Sequence, residues 1–214
     1  MDKQYINTYD RLTINKYYEL VDILNNVEAN EYEKNTAILS VLTDIDEDDL
    51  MNLKLSEFNE LMQNTAFLNK APGNKIIASK YKIGDYTLIP QTDLSNITVT
   101  QFLDYQVYVK DVDKNLVNIL SVFLIPEGKE YNKDYDINKV RDEIENNLSI
   151  VDAMSLSAFF LSLFKALLTA IQYSFRRKIK KMKKMKIIPE KEMEMIEKKM
   201  EMITALMRSG DGLV

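Results

Sequence analysis

Apolar side chains recur at helical spacing along most of the chain. In the segment TINKYYELVDILN at 13–25, Ile14, Val21 and Leu24 fall on one helical face, behind Thr13 as a candidate N-cap. The segments that follow, as far as Leu68, repeat this spacing. The pattern predicts three or four short helices in the first third of the chain.

The pattern changes to a period of two after the sequence APGNK. In IIASKYKIGDYTLIPQ, apolar and polar residues alternate on both sides of Gly84-Asp85. Such a pair suits a two-residue turn with positive φ at glycine. The sequence therefore predicts a β-hairpin at about 76–90.

Helical patterns return in the second half. Thr98 and Gln101 have the spacing of a capping box, which predicts a helix start at Thr98. A further helix is predicted to run through DKNLVNILSVFLIP and to stop at Pro126, and another covers about 136–148.

The C-terminal part is predicted to be a helical arm. The stretch 150–187 contains neither glycine nor proline and predicts one long helix, which Pro189 ends. A methionine-rich helix follows at 190–207. The predicted fold is mainly α, with a multi-helix body at 1–148 carrying one β-hairpin, an arm at 149–208 and a short tail at 209–214.

Two apolar faces on the arm are candidate protein-interaction surfaces. The first lies on the long helix and comprises Phe159, Phe160, Leu163, Phe164, Leu167 and Leu168. The second follows a 3-4-3-4 spacing and comprises Met193, Ile196, Met200, Ile203 and Met207. This heptad-like spacing predicts an antiparallel helical hairpin turning at Pro189, or a coiled coil between copies of the chain. A core-facing helix is the simpler alternative.

A basic run interrupts an otherwise acidic chain. The net charge is −5, yet residues 176–186 hold eight of the 28 Lys and Arg residues. The cations are Arg176, Arg177, Lys178, Lys180, Lys181, Lys183, Lys184 and Lys186. A non-specific nucleic-acid grip is one interpretation. It is not favoured, because no aromatic residue is interleaved with these cations after Phe175.

A membrane span at 153–173 is another interpretation, because this stretch is apolar and positive charges follow it. Lys165 near its centre costs about 2.5–3.5 kcal/mol on insertion. The apolar stripe also continues through the basic run at Phe175, Ile179 and Met182. A stripe that continues in this way favours a covering helix over a membrane.

Composition excludes several kinds of chemistry. The chain has no Cys and no His, which removes the usual nucleophile systems and the common zinc sites. The acidic run at 44–49 fails the EF-hand pattern, which needs Gly at its sixth position and Glu at its twelfth. No glycine-rich phosphate loop is present. The sequence therefore predicts a non-enzymatic protein without a metal or another cofactor.

The order of these elements resembles a family. The segments ILSVLTDIDEDDLMNLKLSEFNELMQNTAFL, KYKIGDYTLIPQTDLSNITVTQFLDYQVYVKD and SAFFLSLFKALLTAIQYSFRRKIKKMKK occur in the order seen in tailed-bacteriophage morphogenesis proteins. The likeness is to tail assembly chaperones in particular, and it spans about residues 13–187. The segment after Pro189 has no counterpart in this pattern.

The resemblance implies a non-enzymatic role in virion assembly. Such chaperones bind the helical tape-measure protein and keep its apolar surface from aggregating. We therefore expect a phage structural protein as partner, self-association, and residence in the host bacterial cytoplasm during assembly. Retention in the virion as a connector, capsid-associated or cargo protein is the alternative, and membrane association is a second one.

Overall fold

The computed structural model describes residues 5–185, and beyond them residues 192, 195, 196, 198 and 199. Within this part lie the helices α1 Ile14–Asn25, α2 Glu31–Thr43, α3 Glu47–Met51, α4 Leu55–Gln63, α5 Val99–Tyr108, α6 Val112–Phe123, α7 Ile137–Asn147 and α8 Ile150–Lys184. The strands β1 Tyr81–Ile83, β2 Tyr86–Pro90 and β3 Leu124–Pro126 form one antiparallel sheet in the order β1-β2-β3. The predicted mainly α fold with one β-hairpin and a long C-terminal helix is confirmed.

The chain forms two compact units. The first contains residues 1–91 and 116–158, and the second contains residues 92–115 and 159–214. One boundary falls inside α6, next to Asn115, whose backbone is not helical (φ −116°, ψ 16°). The other falls inside α8. These bounds differ from the predicted division at residue 148, because the first two turns of α8 pack within the first unit.

An isolated antiparallel β-bridge between Thr13 and Ser149 joins distant parts of the first unit. The backbone N–H of Ile150 donates to the Leu12 carbonyl at 2.8 Å, and that of Ile14 donates to the Leu148 carbonyl at 3.3 Å. All four of these apolar side chains are buried. The bridge therefore fixes the start of the chain against the junction of α7 and α8.

Both bridge residues also cap helices. The Thr13 hydroxyl accepts a hydrogen bond from the Lys16 N–H, which confirms the predicted N-cap of α1. The Ser149 hydroxyl accepts from the Asp152 N–H at 3.1 Å, at the start of α8. Two helices thus begin at one bridge, which satisfies the N–H group of the first residue of each helix, while the side-chain cap satisfies that of the third.

A polar contact holds the extended segment before β1. The Lys75 ammonium group lies 2.6 Å from an Asp10 carboxylate oxygen and 3.1 Å from one of Asp152. The Lys75 N–H donates to the Ser155 hydroxyl on α8 at 2.9 Å. The hydrogen bond to Asp10, followed by the contacts with Asp152, raises the pKa of Lys75, although partial burial opposes this. The segment is therefore fastened to the buried start of α8.

The sheet differs from the predicted hairpin in two respects. Its first strand begins at Tyr81 rather than near residue 76, and the two strands turn at Gly84-Asp85 as predicted. A third strand at 124–126 pairs with β2, where the sequence indicated the end of a helix. Three residues directly after a helix are too few to show alternation, so the strand has no signal of its own.

We predict that Gly84→Ala lowers the free energy of unfolding by about 1–2 kcal/mol, the cost of a left-handed backbone for a residue with a Cβ. Gly84 has φ 51°, and an added Cβ would also meet the Glu143 carboxylate. Urea denaturation measures the change.

Two other glycines serve as controls for this prediction. Gly128 has φ 76° with open space around it, so Gly128→Ala reports the backbone effect alone. Gly73 has neither feature, so Gly73→Ala should be neutral or stabilising by up to about 1 kcal/mol. Equal denaturation midpoints for Gly84→Ala and Gly73→Ala would contradict the prediction.

Candidate protein-interaction surface

Helix α5 belongs to the second unit. The Gln101 N–H donates to the Thr98 hydroxyl at 3.1 Å, and the Thr98 N–H donates to the Gln101 side-chain oxygen at 3.0 Å. This reciprocal pair is the predicted capping box, which is therefore confirmed. It fixes where α5 begins and hence which of its side chains share a face.

The inner face of α5 packs on the apolar face of α8. The Phe164 ring centroid lies 4.0 Å from that of Tyr105 and 5.4 Å from that of Phe102. Phe164 and Tyr105 are both buried. Part of the predicted interaction surface is therefore already covered by the chain itself.

Phe160 differs most from the sequence-based interpretation. It is fully buried, with the Phe159 ring 5.5 Å away. Phe159, Leu163, Leu167 and Leu168 are half-buried. The expectation of an exposed apolar face is therefore wrong for Phe160 and Phe164. Helical periodicity shows which residues share a face, but it does not show whether other parts of the chain bury that face. A charge at Phe160 would disturb folding and would not test binding.

The outer face of α5 carries an exposed apolar stripe that the sequence analysis missed. Val99, Leu103 and Val107 follow one another at four-residue intervals, so they share one side of the helix. Each is more than half exposed. The spacing itself was a usable signal, but it could not be separated from the core-facing pattern of Phe102 and Tyr105 on the same helix.

The distal part of α8 is also exposed. Tyr173 and Phe175 both leave more than half of their surface in solvent. Helix 150–182 is long and apolar enough to cross a membrane by length and composition, and only 24% of its most apolar stretch is buried. A core helix of this composition would be mostly buried, whereas here much of the stretch is exposed; Ile179, which is buried, is an exception.

The start of the predicted membrane span lies in the core of the first unit. Ala153 and Leu156 are fully buried, and Ser155 accepts the hydrogen bond from Lys75. A span at 153–173 would have to withdraw these residues from their partners. From residue 159 to the start of the basic run at Arg176 the helix is about 25 Å long, less than the hydrocarbon thickness of about 30 Å.

The basic run continues α8. Arg176, Arg177, Lys178, Lys180 and Lys181 are exposed, and none of them takes part in an ion pair within the described residues. Lys183 and Lys184 belong to the helix, but their side chains, like Lys186, lie outside the described part. Helix α8 contains no acidic residue after Asp152. Every charged residue of α8 after Asp152 is therefore a cation.

Little of the methionine-rich segment is described. Ile196 is helical and half-buried, whereas Met195, Lys198 and Lys199 are exposed. The other predicted seam residues, namely Met193, Met200, Ile203 and Met207, lie outside the described residues. The break predicted at Pro189 and the tail at 209–214 lie outside them too.

The acidic run near the N-terminus has a structural role. The Asp46 carboxylate accepts a hydrogen bond from the Asp48 N–H at 3.0 Å and so caps α3. Within the described part of the chain, no three carboxylates come together as a metal site would require. The second unit instead exposes apolar side chains on α5 and α8 and a run of cations at the end of α8, which suits contact with another macromolecule.

Comparison with known proteins adds no relative. No family model, curated protein or solved structure matches the chain. The resemblance to phage proteins therefore stays a prediction.

Tyr105 gives a pH-dependent probe of the packing in the second unit. Burial raises the pKa of its phenol above the ordinary value near 10. The folded protein thus keeps this proton where the unfolded chain loses it. Its contribution to stability is complete below about pH 10 and is lost as the pH rises toward the folded-state pKa, by up to about 1.4 kcal/mol per pH unit.

We predict that Tyr105→Phe makes the free energy of unfolding fall less steeply above pH 10 than in the unchanged protein. Denaturant titrations at several alkaline pH values measure the slope. Tyr173→Phe is the matched control, because Tyr173 is exposed on α8. An unchanged slope for Tyr105→Phe would mean that the phenol is not buried in solution.

Proposed function

We propose that this protein is a non-enzymatic assembly protein that binds a helical client protein through its second unit. In keeping with the resemblance described above, the client is a tape-measure-like structural protein of a tailed bacteriophage. The protein acts in the host cytoplasm during assembly. It shields the client's apolar surface until other subunits cover it.

The observation that carries this proposal is the exposed apolar stripe on α5. Val99, Leu103 and Val107 extend over about 12 Å of one helix face, at 1.5 Å per residue. Burying apolar surface is favourable by roughly 25 cal/mol per Å², so a partner that covers three such side chains gains several kcal/mol before entropic costs.

The stripe suits an amphipathic helix as partner. Anchors spaced at four residues match the i, i+4 spacing of a helix laid alongside, as in helix-in-groove recognition. The exposed Tyr173 and Phe175 on α8 add apolar surface of the same kind. The neighbouring cations favour a client with acidic flanks.

Membrane association is the second candidate, favoured by the small buried fraction of the apolar stretch of α8. It would use residues after Ala158, because the preceding turns pack within the first unit. Fractionation separates the two proposals, since a spanning helix resists extraction by high salt and a client complex does not pellet with membranes.

We predict that the protein is abundant in the lysate of a phage infection and absent from the purified particles. Quantitative mass spectrometry of both samples from one infection tests this. A fixed copy number in the particles would overturn the chaperone role and favour the alternative, a structural component retained in the virion.

We predict that Leu103→Ser lowers the amount of co-purifying client at least severalfold without changing the denaturation midpoint. Leu24→Ser is a matched control. Leu24 lies on α1 in the first unit and is 54% exposed, against 53% for Leu103, so both changes remove the same side chain at equal exposure. Equal client recovery from the two variants would exclude the stripe on α5 as the binding surface.

A further inference from the structure

The exposed stripe on α5 is symmetric about its central residue. Val99 and Val107 each lie four residues from Leu103, so the order Val, Leu, Val is the same in both directions along the helix. In chain order these side chains are 76%, 53% and 59% exposed. A surface with this symmetry can pair with a second copy of itself around a two-fold axis, in which case each contact occurs twice.

Helix geometry favours such a pair. Side chains four residues apart form a ridge on an α-helix, and two ridges of this kind interdigitate in the commonest class of helix packing. A two-fold axis at Leu103 makes the two α5 helices antiparallel. Val99 of one copy then lies beside Val107 of the other, and the two Leu103 side chains meet at the centre.

The charges on α5 permit this arrangement. Asp104 is the only charged residue between Asp93 and Lys110 in the sequence, and it lies about 100° around the helix from Leu103. The positions that oppose each other beside the stripe are Thr100 and Gln106, which are uncharged and can hydrogen-bond. The stripe therefore meets its own copy without repulsion between like charges of α5, and it offers no charge of its own to a charged partner.

The stripe is small for a permanent interface. Each partner in a standard interface contributes about 20–30 residues. The stripe contributes three aliphatic side chains and their neighbours, so pairing through it is weak and reversible. A second copy bound in this way can be exchanged for another helix.

We propose that two copies of the protein pair through Val99, Leu103 and Val107, with their α5 helices antiparallel about a two-fold axis at Leu103. This surface is separate from both apolar faces of the arm that the sequence analysis identifies. Pairing keeps the stripe out of water when no other partner is bound. A further consequence rests on the proposed function: the client competes with the second copy for the same stripe, so the dimer is the form of the protein without client.

The first test places a thiol at the axis in the full-length protein. The chain has no cysteine, so Leu103→Cys introduces the only thiol. Packed helices about 8–10 Å apart bring the two Cα atoms at the axis to about 5 Å, within the range of a disulfide. Under mild oxidation, Leu103→Cys should form a linked dimer at least severalfold faster than Leu24→Cys, whose original side chain in the first unit is equally exposed. Equal rates would overturn the proposal.

Two further variants test the orientation of the helices. In an equal mixture of Val99→Cys and Val107→Cys, the mixed disulfide should form in preference to the two disulfides between identical positions. Mass spectrometry of the linked peptides identifies each product. A preference for identical positions would indicate parallel helices and overturn the two-fold arrangement.

Sedimentation equilibrium measures pairing in the unchanged protein. The average mass should rise from monomer toward dimer between low micromolar and near-millimolar concentration. It should do so at high salt as well, because screening weakens charge contacts and the stripe is apolar. Leu103→Ser should stay monomeric, whereas Leu24→Ser should behave like the unchanged protein. A monomer at every concentration, association that is lost at high salt, or a dimer that persists in Leu103→Ser would each overturn the proposal.

These measurements require no client, so they are independent of the proposed function. A monomeric unchanged protein whose client recovery falls in Leu103→Ser would overturn self-pairing and leave the client role in place. A dimer that Leu103→Ser disrupts without changing client recovery would do the reverse. A monomer that binds neutral phospholipid vesicles, and loses this binding in Leu103→Ser, would identify lipid as the occupant of the stripe and overturn self-pairing.

Discussion

The β-bridge between Thr13 and Ser149 is the contact on which the arrangement of the first unit depends. It joins residues far apart in sequence, and closing so long a loop is costly in entropy, although the cost grows only slowly with length. The burial of Leu12, Ile14 and Ile150 around the bridge offsets this cost. Since Thr13 and Ser149 also cap α1 and α8, two helix starts and one long-range contact are formed by the same few residues.

This bridge positions the first residues of α8. The rest of the helix is held by other contacts. Ile150, Ala153 and Leu156 are buried in the first unit, and Ser155 holds the backbone of Lys75. After Ala158 the same helix serves the second unit. One continuous apolar sequence thus serves first as a core and then as a surface, which explains why hydropathy alone suggests a membrane span.

Local signals were sufficient for local structure. The cap at Thr13, the capping box at Thr98 and the turn at Gly84 depend on neighbours in sequence, and the structure contains all three. Such local signals could not predict contacts between residues that are distant in sequence. Periodicity placed Phe160 and Phe164 on one face but could not reveal that the chain buries both of them, and β3 was too short to alternate.

Helix α5 shows why the candidate surface could be found only with the structure. Two apolar patterns share its ten residues, one through Phe102 and Tyr105 and the other through Val99, Leu103 and Val107. A helix that is apolar on both sides is stable when both sides are covered. The described residues cover one side only, by Phe164. The second side is therefore exposed. A partner helix that covers it would remove its apolar side chains from water, which stabilises the complex.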